Sequence, residues 1–95
     1  MSAERVFLSS IVAKNGNIIN EYFQKFGNTR AIIRETRFPE GSPLKKLGYD
    51  YFEHYHRLPD PLNHKPVDDL YLWGKNKFVY SLDEIKDIVK KAFHQ

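Results

Sequence analysis

The sequence predicts an α+β fold: a helical N-terminus, a small antiparallel sheet of three to four strands, and a C-terminal helix packed on that sheet. Three observations carry the expectation. Apolar residues recur at helical spacing through the first part of the chain. β-Branched and aromatic residues, bounded by Pro and Gly, fill the middle. Ser81-Leu82-Asp83-Glu84 then opens the last apolar stripe as a capping box. At 95 residues the whole chain, 1–95, reads as one small globular domain.

Residues 3–26 read as helical. Phe7, Ile11, Ile18, Tyr22 and Phe26 form a stripe, with Leu8, Val12, Ile19 and Phe23 beside it. Lys14-Asn15-Gly16-Asn17 interrupts that stripe. Glycine costs about 1 kcal/mol against alanine in a helix interior. One kinked helix or two short ones are therefore expected, with the break near residues 15–17. Gly27-Asn28 reads as the helix stop, because glycine accepts the left-handed turn there.

Residues 29–38 read as a strand, from two Ile and two Thr and from Phe38 held extended before Pro39. Pro39-Glu40-Gly41-Ser42-Pro43 reads as a turn. Residues 47–58 read as a second strand, with Tyr49, Tyr51, Glu53, Tyr55 and Arg57 on one face. Asp50, Phe52, His54, His56 and Leu58 lie on the other, and neither face is cleanly apolar. Pro59, Pro61 and Pro66 make residues 59–67 an extended loop. Residues 69–80 read as a short hairpin turning at Gly74-Lys75-Asn76-Lys77. In the final helix Leu82, Ile85, Ile88, Val89, Ala92 and Phe93 form one stripe, and Lys90 and Lys91 suit the C-terminal dipole.

Composition narrows the function classes. Without cysteine the chain has no disulfide, no thiolate metal site and no thiol nucleophile, which fits a reducing, cytoplasmic compartment. No apolar run approaches the roughly 18 residues of a transmembrane helix. Met1-Ser2-Ala3-Glu4-Arg5 is not followed by a secretory apolar region with a cleavage site. No membrane partner and no cofactor are expected. The net charge is +3, and the excess is central. Arg30, Arg34, Arg37, Lys45, Lys46 and Arg57 face four acids within residues 29–58, whereas residues 59–95 balance. Aromatic residues reach 15%, and six of them are tyrosines.

Those two features share one stretch, and their overlap suggests a small basic nucleic-acid-binding or regulatory module. Arg30, Arg34, Arg37, Lys45, Lys46 and Arg57 would contact phosphates, and Tyr49, Tyr51 or Tyr55 would stack on bases. A second class is a protein-binding inhibitor or assembly subunit anchored by exposed Tyr and Trp. A third is a small metal-independent endoribonuclease. There His54 or His56 would act as base, Glu53 as acid, and Arg34, Arg57 or Lys77 as the cation on the scissile phosphate.

His54-Tyr55-His56 is a His-hydrophobic-His triplet whose imidazoles point the same way on a strand. It resembles the metal triplet of HUH-type nickases, which cut single-stranded DNA with a downstream tyrosine. The resemblance covers these three residues; no third ligand stands out, and Tyr80 precedes the last helix rather than lying in it. The expectation is two surface histidines and no tight metal site. Asp68-Asp69 and Asp60 lack the alternating oxygen ligands of a calcium loop and read as solvated charges.

Overall fold

The computed structural model describes residues 4–59 and 67–94. Six strands follow one another through a single antiparallel sheet in chain order. They are β1 (Glu4–Val12), β2 (Ile18–Phe26), β3 (Thr29–Arg37), β4 (Tyr49–Arg57), β5 (Val67–Gly74) and β6 (Lys77–Val79). A one-turn helix, α1 (Pro43–Lys46), interrupts the expected turn between β3 and β4. The closing helix is α2 (Leu82–Phe93). None of the described helices is long and apolar enough to cross a membrane. Apart from Pro59 and Val67, the expected loop 59–67 lies outside the described residues.

The helical N-terminus is corrected: residues 4–26 are two strands, and the sheet has six strands rather than three to four. A spacing of four fits both periods. Ile18, Tyr22 and Phe26 share a face in a helix, and they share one in a strand too, with Asn20 and Gln24 between them. The segment between the stripes decides the matter. Asn15 accepts from the Asn17 N–H at 3.1 Å, Ala13 and Asn17 close the reversal at 2.8 Å, and Gly16 takes φ +91°. What reads as a helix break is a hairpin turn. Gly27, read as a helix stop, instead sits at φ +60° in the two-residue turn between Phe26 and Thr29, which pair.

The register gives the sheet two distinct faces. Phe7, Tyr22, Ile33, Tyr55 and Asp69 form one cross-strand row, and Ile18, Arg37, Tyr51, Trp73 and Phe78 form another on the same side. We call this the ring face. The opposite face carries Phe23, Ile32, His56 and Asp68 in one row, and Ile19, Thr36, Phe52, Leu72 and Val79 in another.

The closing helix belongs to this second face. It packs on β5 and α1. Leu72 is fully buried while its neighbours Tyr71 and Trp73, pointing the other way, are half-buried. Ile85 and Ala92 from α2 and Leu44 from α1 are buried as well. Burying one such leucine or isoleucine side chain contributes about 1.5–3 kcal/mol. On the ring face Ala31 and Ile33 are also fully buried. Ile33 lies between Tyr22 and Tyr55 in the register, so long aromatic neighbours shield the short residues of the central strand.

Candidate functional site

Two groups of side chains carry chemistry, one on each face. On the ring face, the three C-terminal strands and the segment after them hold a continuous run of aromatics. Tyr51 stacks near Trp73 (6.3 Å between centroids, 21° between planes). Trp73 meets Phe78 at 4.3 Å, and Phe78 stacks near both Tyr71 and Tyr80 at 5.6 Å. The run arises because Tyr51, Trp73 and Phe78 are register partners on β4, β5 and β6. Its outer end is open: Phe78 is 46% and Tyr80 71% exposed.

Three guanidinium groups cap tyrosines on this face. Arg37 lies 4.7 Å from the Tyr51 ring centroid, Arg5 5.5 Å from Tyr22, and Arg57 5.7 Å from Tyr55. Carboxylates stand among them. Arg37 pairs with the buried Glu35 at 2.6 Å, Arg57 pairs with Asp69 at 3.0 Å, and Trp73 donates to Glu53 at 3.3 Å. Burial raises the Tyr51 hydroxyl above the usual tyrosine range, and repulsion from Glu53 and Glu35 adds to it. Burial likewise raises Tyr71, with Asp69 reinforcing the effect. Both rings therefore stay neutral across the physiological range.

Across the sheet, Glu21, Ile32, Arg34, His54 and His56 line an open groove of about 180 Å³. Arg34 pairs with Glu21 at 3.2 Å. A single oxygen of Asp68 meets His54 Nε2 at 2.9 Å and His56 Nδ1 at 2.5 Å. Hydrogen bonds from His56 and then His54 hold the Asp68 carboxyl below its usual range. The larger cavity, about 410 Å³ and lined by Asn17, Phe38, Pro43 and Phe93 among others, has no titratable side chain in its wall.

The central residues singled out in the sequence are divided by this geometry. Arg37, Tyr51, Tyr55 and Arg57 come together on the ring face. Arg34 lies in the groove on the opposite face, and Arg30, which alternates with Ala31, also points away from the ring face. Arg30 donates to the Pro59 carbonyl at 3.0 Å. Lys45 and Lys46 sit on α1, where Lys45 is bound to Asp50 at 2.6 Å and Lys46 is exposed. Tyr49 lies beyond a bulge in β4, with Lys77 Nζ 5.1 Å from its ring.

Alternation also separates the ribonuclease constellation. Glu53 and Arg57 face the rings, whereas His54, His56 and Arg34 face the groove. Sequence reasoning missed Trp73, Tyr71, Phe78 and Tyr80 as members of the same surface as Tyr51. Their signal was the aromatic run of the β5–β6 hairpin, but only the pairing register places it beside β4. Comparison of the chain with protein-family models, with curated proteins and with solved structures found no match.

Proposed function

We propose that the chain binds single-stranded nucleic acid on the ring face, by stacking unpaired bases on Tyr51, Trp73, Tyr71 and Phe78. The observation that supports this reading is the run of rings on a sheet face opposite α1 and α2, ending in the exposed Tyr80. An open antiparallel sheet that presents aromatic side chains accommodates splayed bases, since every base has a π-face. Arg5, Arg37 and Arg57 stand beside the rings, within reach of a backbone that follows them.

The charge balance makes this reading specific. Glu35, Glu53 and Asp69 offset the three arginines, so affinity comes from stacking more than from phosphate attraction. Each single-strand phosphate contact adds roughly 0.7 to the log–log salt slope. A slope of about 2 or less is expected from three arginines.

Trp73 is the only tryptophan, so its fluorescence reports the site directly. Oligo(dT) or oligo(rU) should quench it saturably. Trp73→Ala should cost about 1–3 kcal/mol of affinity in fluorescence anisotropy, at every salt concentration tested. No quenching and no anisotropy change at low salt would refute this reading. The same rings would then stand as anchors for a protein partner.

A further inference from the structure

We propose that His54, His56 and Asp68 form a site for one divalent transition-metal ion of the zinc type, with one coordination position open to the groove that Arg34 lines. Nitrogens of His54 and His56 and a carboxylate oxygen of Asp68 lie within 4.8 Å of one another. The sheet itself makes them converge. His54 and His56 are two apart on β4, so their rings leave the same face. Asp68 is the register partner of His56 on β5. All three ligands therefore ride on strands, which fixes them better than a loop would.

The donor set suits the ion. Imidazole nitrogen and carboxylate oxygen are ordinary zinc ligands, and three protein ligands with one free position is the arrangement of open zinc sites. The Asp68 oxygen lies 2.9 Å from His54 Nε2 and 2.5 Å from His56 Nδ1. An ion would replace the protons that hold those contacts. Ligands about 2.1 Å from a tetrahedral ion stand about 3.4 Å apart. Entry thus requires the carboxylate to withdraw by about 1 Å or less and the two ring nitrogens, up to 4.8 Å apart, to close by up to about 1.4 Å. The Asp68 side chain is 54% exposed and has room to do so.

The fourth position would hold water or an anionic ligand. Arg34 and Glu21 line the same groove as the two histidines. The guanidinium is paired with Glu21 at 3.2 Å and can donate a hydrogen bond to a ligand at the ion only if it shares or exchanges that partner. This site is separate from the ring face, because His54 and His56 alternate with Glu53, Tyr55 and Arg57 along β4. Metal binding and oligonucleotide binding can thus fail independently.

The test is calorimetric titration of the full, untagged chain with zinc chloride. One ion per chain is expected, with a saturable isotherm. Cobalt(II) in place of zinc should give the visible absorption bands of a four-coordinate site. Asp68→Asn and His56→Ala should each weaken zinc by more than the roughly 10–100-fold that loss of a supporting hydrogen bond costs. His94→Ala, at the far end of α2, should leave binding unchanged. Circular dichroism checks the fold of each variant. Should His56→Ala fail to fold, the near-isosteric Asp68→Asn and the zinc-induced shifts of the wild-type His54 and His56 ring resonances decide the question. Absence of saturable binding, several equivalent ions per chain, or retention of binding in the folded His54→Ala/His56→Ala double variant would overturn the proposal.

Discussion

The two faces of β4 divide one short stretch of sequence into two surfaces of different chemistry. Tyr51, Glu53 and Tyr55 face Arg37, Glu35 and Ile33 on β3 and Trp73, Tyr71 and Asp69 on β5, and Arg37 and Arg57 each have both a ring and a carboxylate. Phe52, His54 and His56 look the other way. Phe52 shares its row with the buried Leu72, and the histidines share a groove with Arg34 and Glu21. Every residue of β4 from Tyr49 to His56 is half-buried. A strand with no cleanly apolar face is here a strand with two partly covered faces. The short α1 packs against β4 on one side, with α2 on the adjacent β5, and long side chains from neighbouring strands shield the other.

The largest effect that can test this contrast lies on β5, where Leu72 and Trp73 are adjacent and point in opposite directions. Leu72→Ala should cost about 2–5 kcal/mol in urea unfolding, as truncation of a fully buried leucine does. It should leave oligonucleotide affinity unchanged in the folded protein. Should Leu72→Ala cost under about 1 kcal/mol, α2 would not be covering that face.

The second half of this architecture was legible in the sequence, whereas the helical N-terminus and the strand count were not. The strands β3 and β4, the β5–β6 hairpin and α2 fall within a few residues of their expected bounds. Their marks are local: β-branched runs, Pro39 and Gly74 as punctuation, and a capping box at Ser81. The first hairpin was not legible, because a spacing of four between Ile18, Tyr22 and Phe26 satisfies helix and strand alike. Gly16 was visible as a breaker, but a kink and a reversal leave the same mark. Asp68 illustrates the limit for the site. Alone it reads as a solvated charge, and it becomes a partner of His54 and His56 only through a pairing 12 to 14 residues distant.

A smaller effect sharpens the contrast from the ring side. Tyr80 is 71% exposed and stacks near Phe78 at the open end of the run. Tyr80→Ala should change stability by no more than about 0.5 kcal/mol, as exposed substitutions usually do. If Tyr80 stacks on a base, the same change should weaken oligonucleotide binding by about 1–3 kcal/mol. Unaltered affinity would confine the stacking surface to Tyr51, Trp73, Tyr71 and Phe78. A loss of stability with unaltered affinity would make Tyr80 part of the packing instead.

The smallest expected effect concerns what makes the faces differ, the seating of α2. Ser81 is its N-cap, with extended backbone, and its hydroxyl accepts from the Glu84 N–H at 3.4 Å. Such caps are worth about 0.5–2 kcal/mol. The long hydrogen bond and the exposure of Ser81 place this one toward the lower end. Asp83 and Glu84 remain in the first turn and keep their favourable interaction with the helix dipole. Ser81→Ala should therefore lower the urea midpoint slightly, with the denaturant slope unchanged. Ser81→Asp supplies an equivalent acceptor and should restore the midpoint. The ring face does not depend on that cap, so oligonucleotide affinity should be the same in both variants. Equal losses in the two variants would mean that the hydroxyl acts through something other than the helix start. A drop in affinity in Ser81→Ala would tie the two faces together through Tyr80, the residue that joins the end of the ring run to the start of the helix.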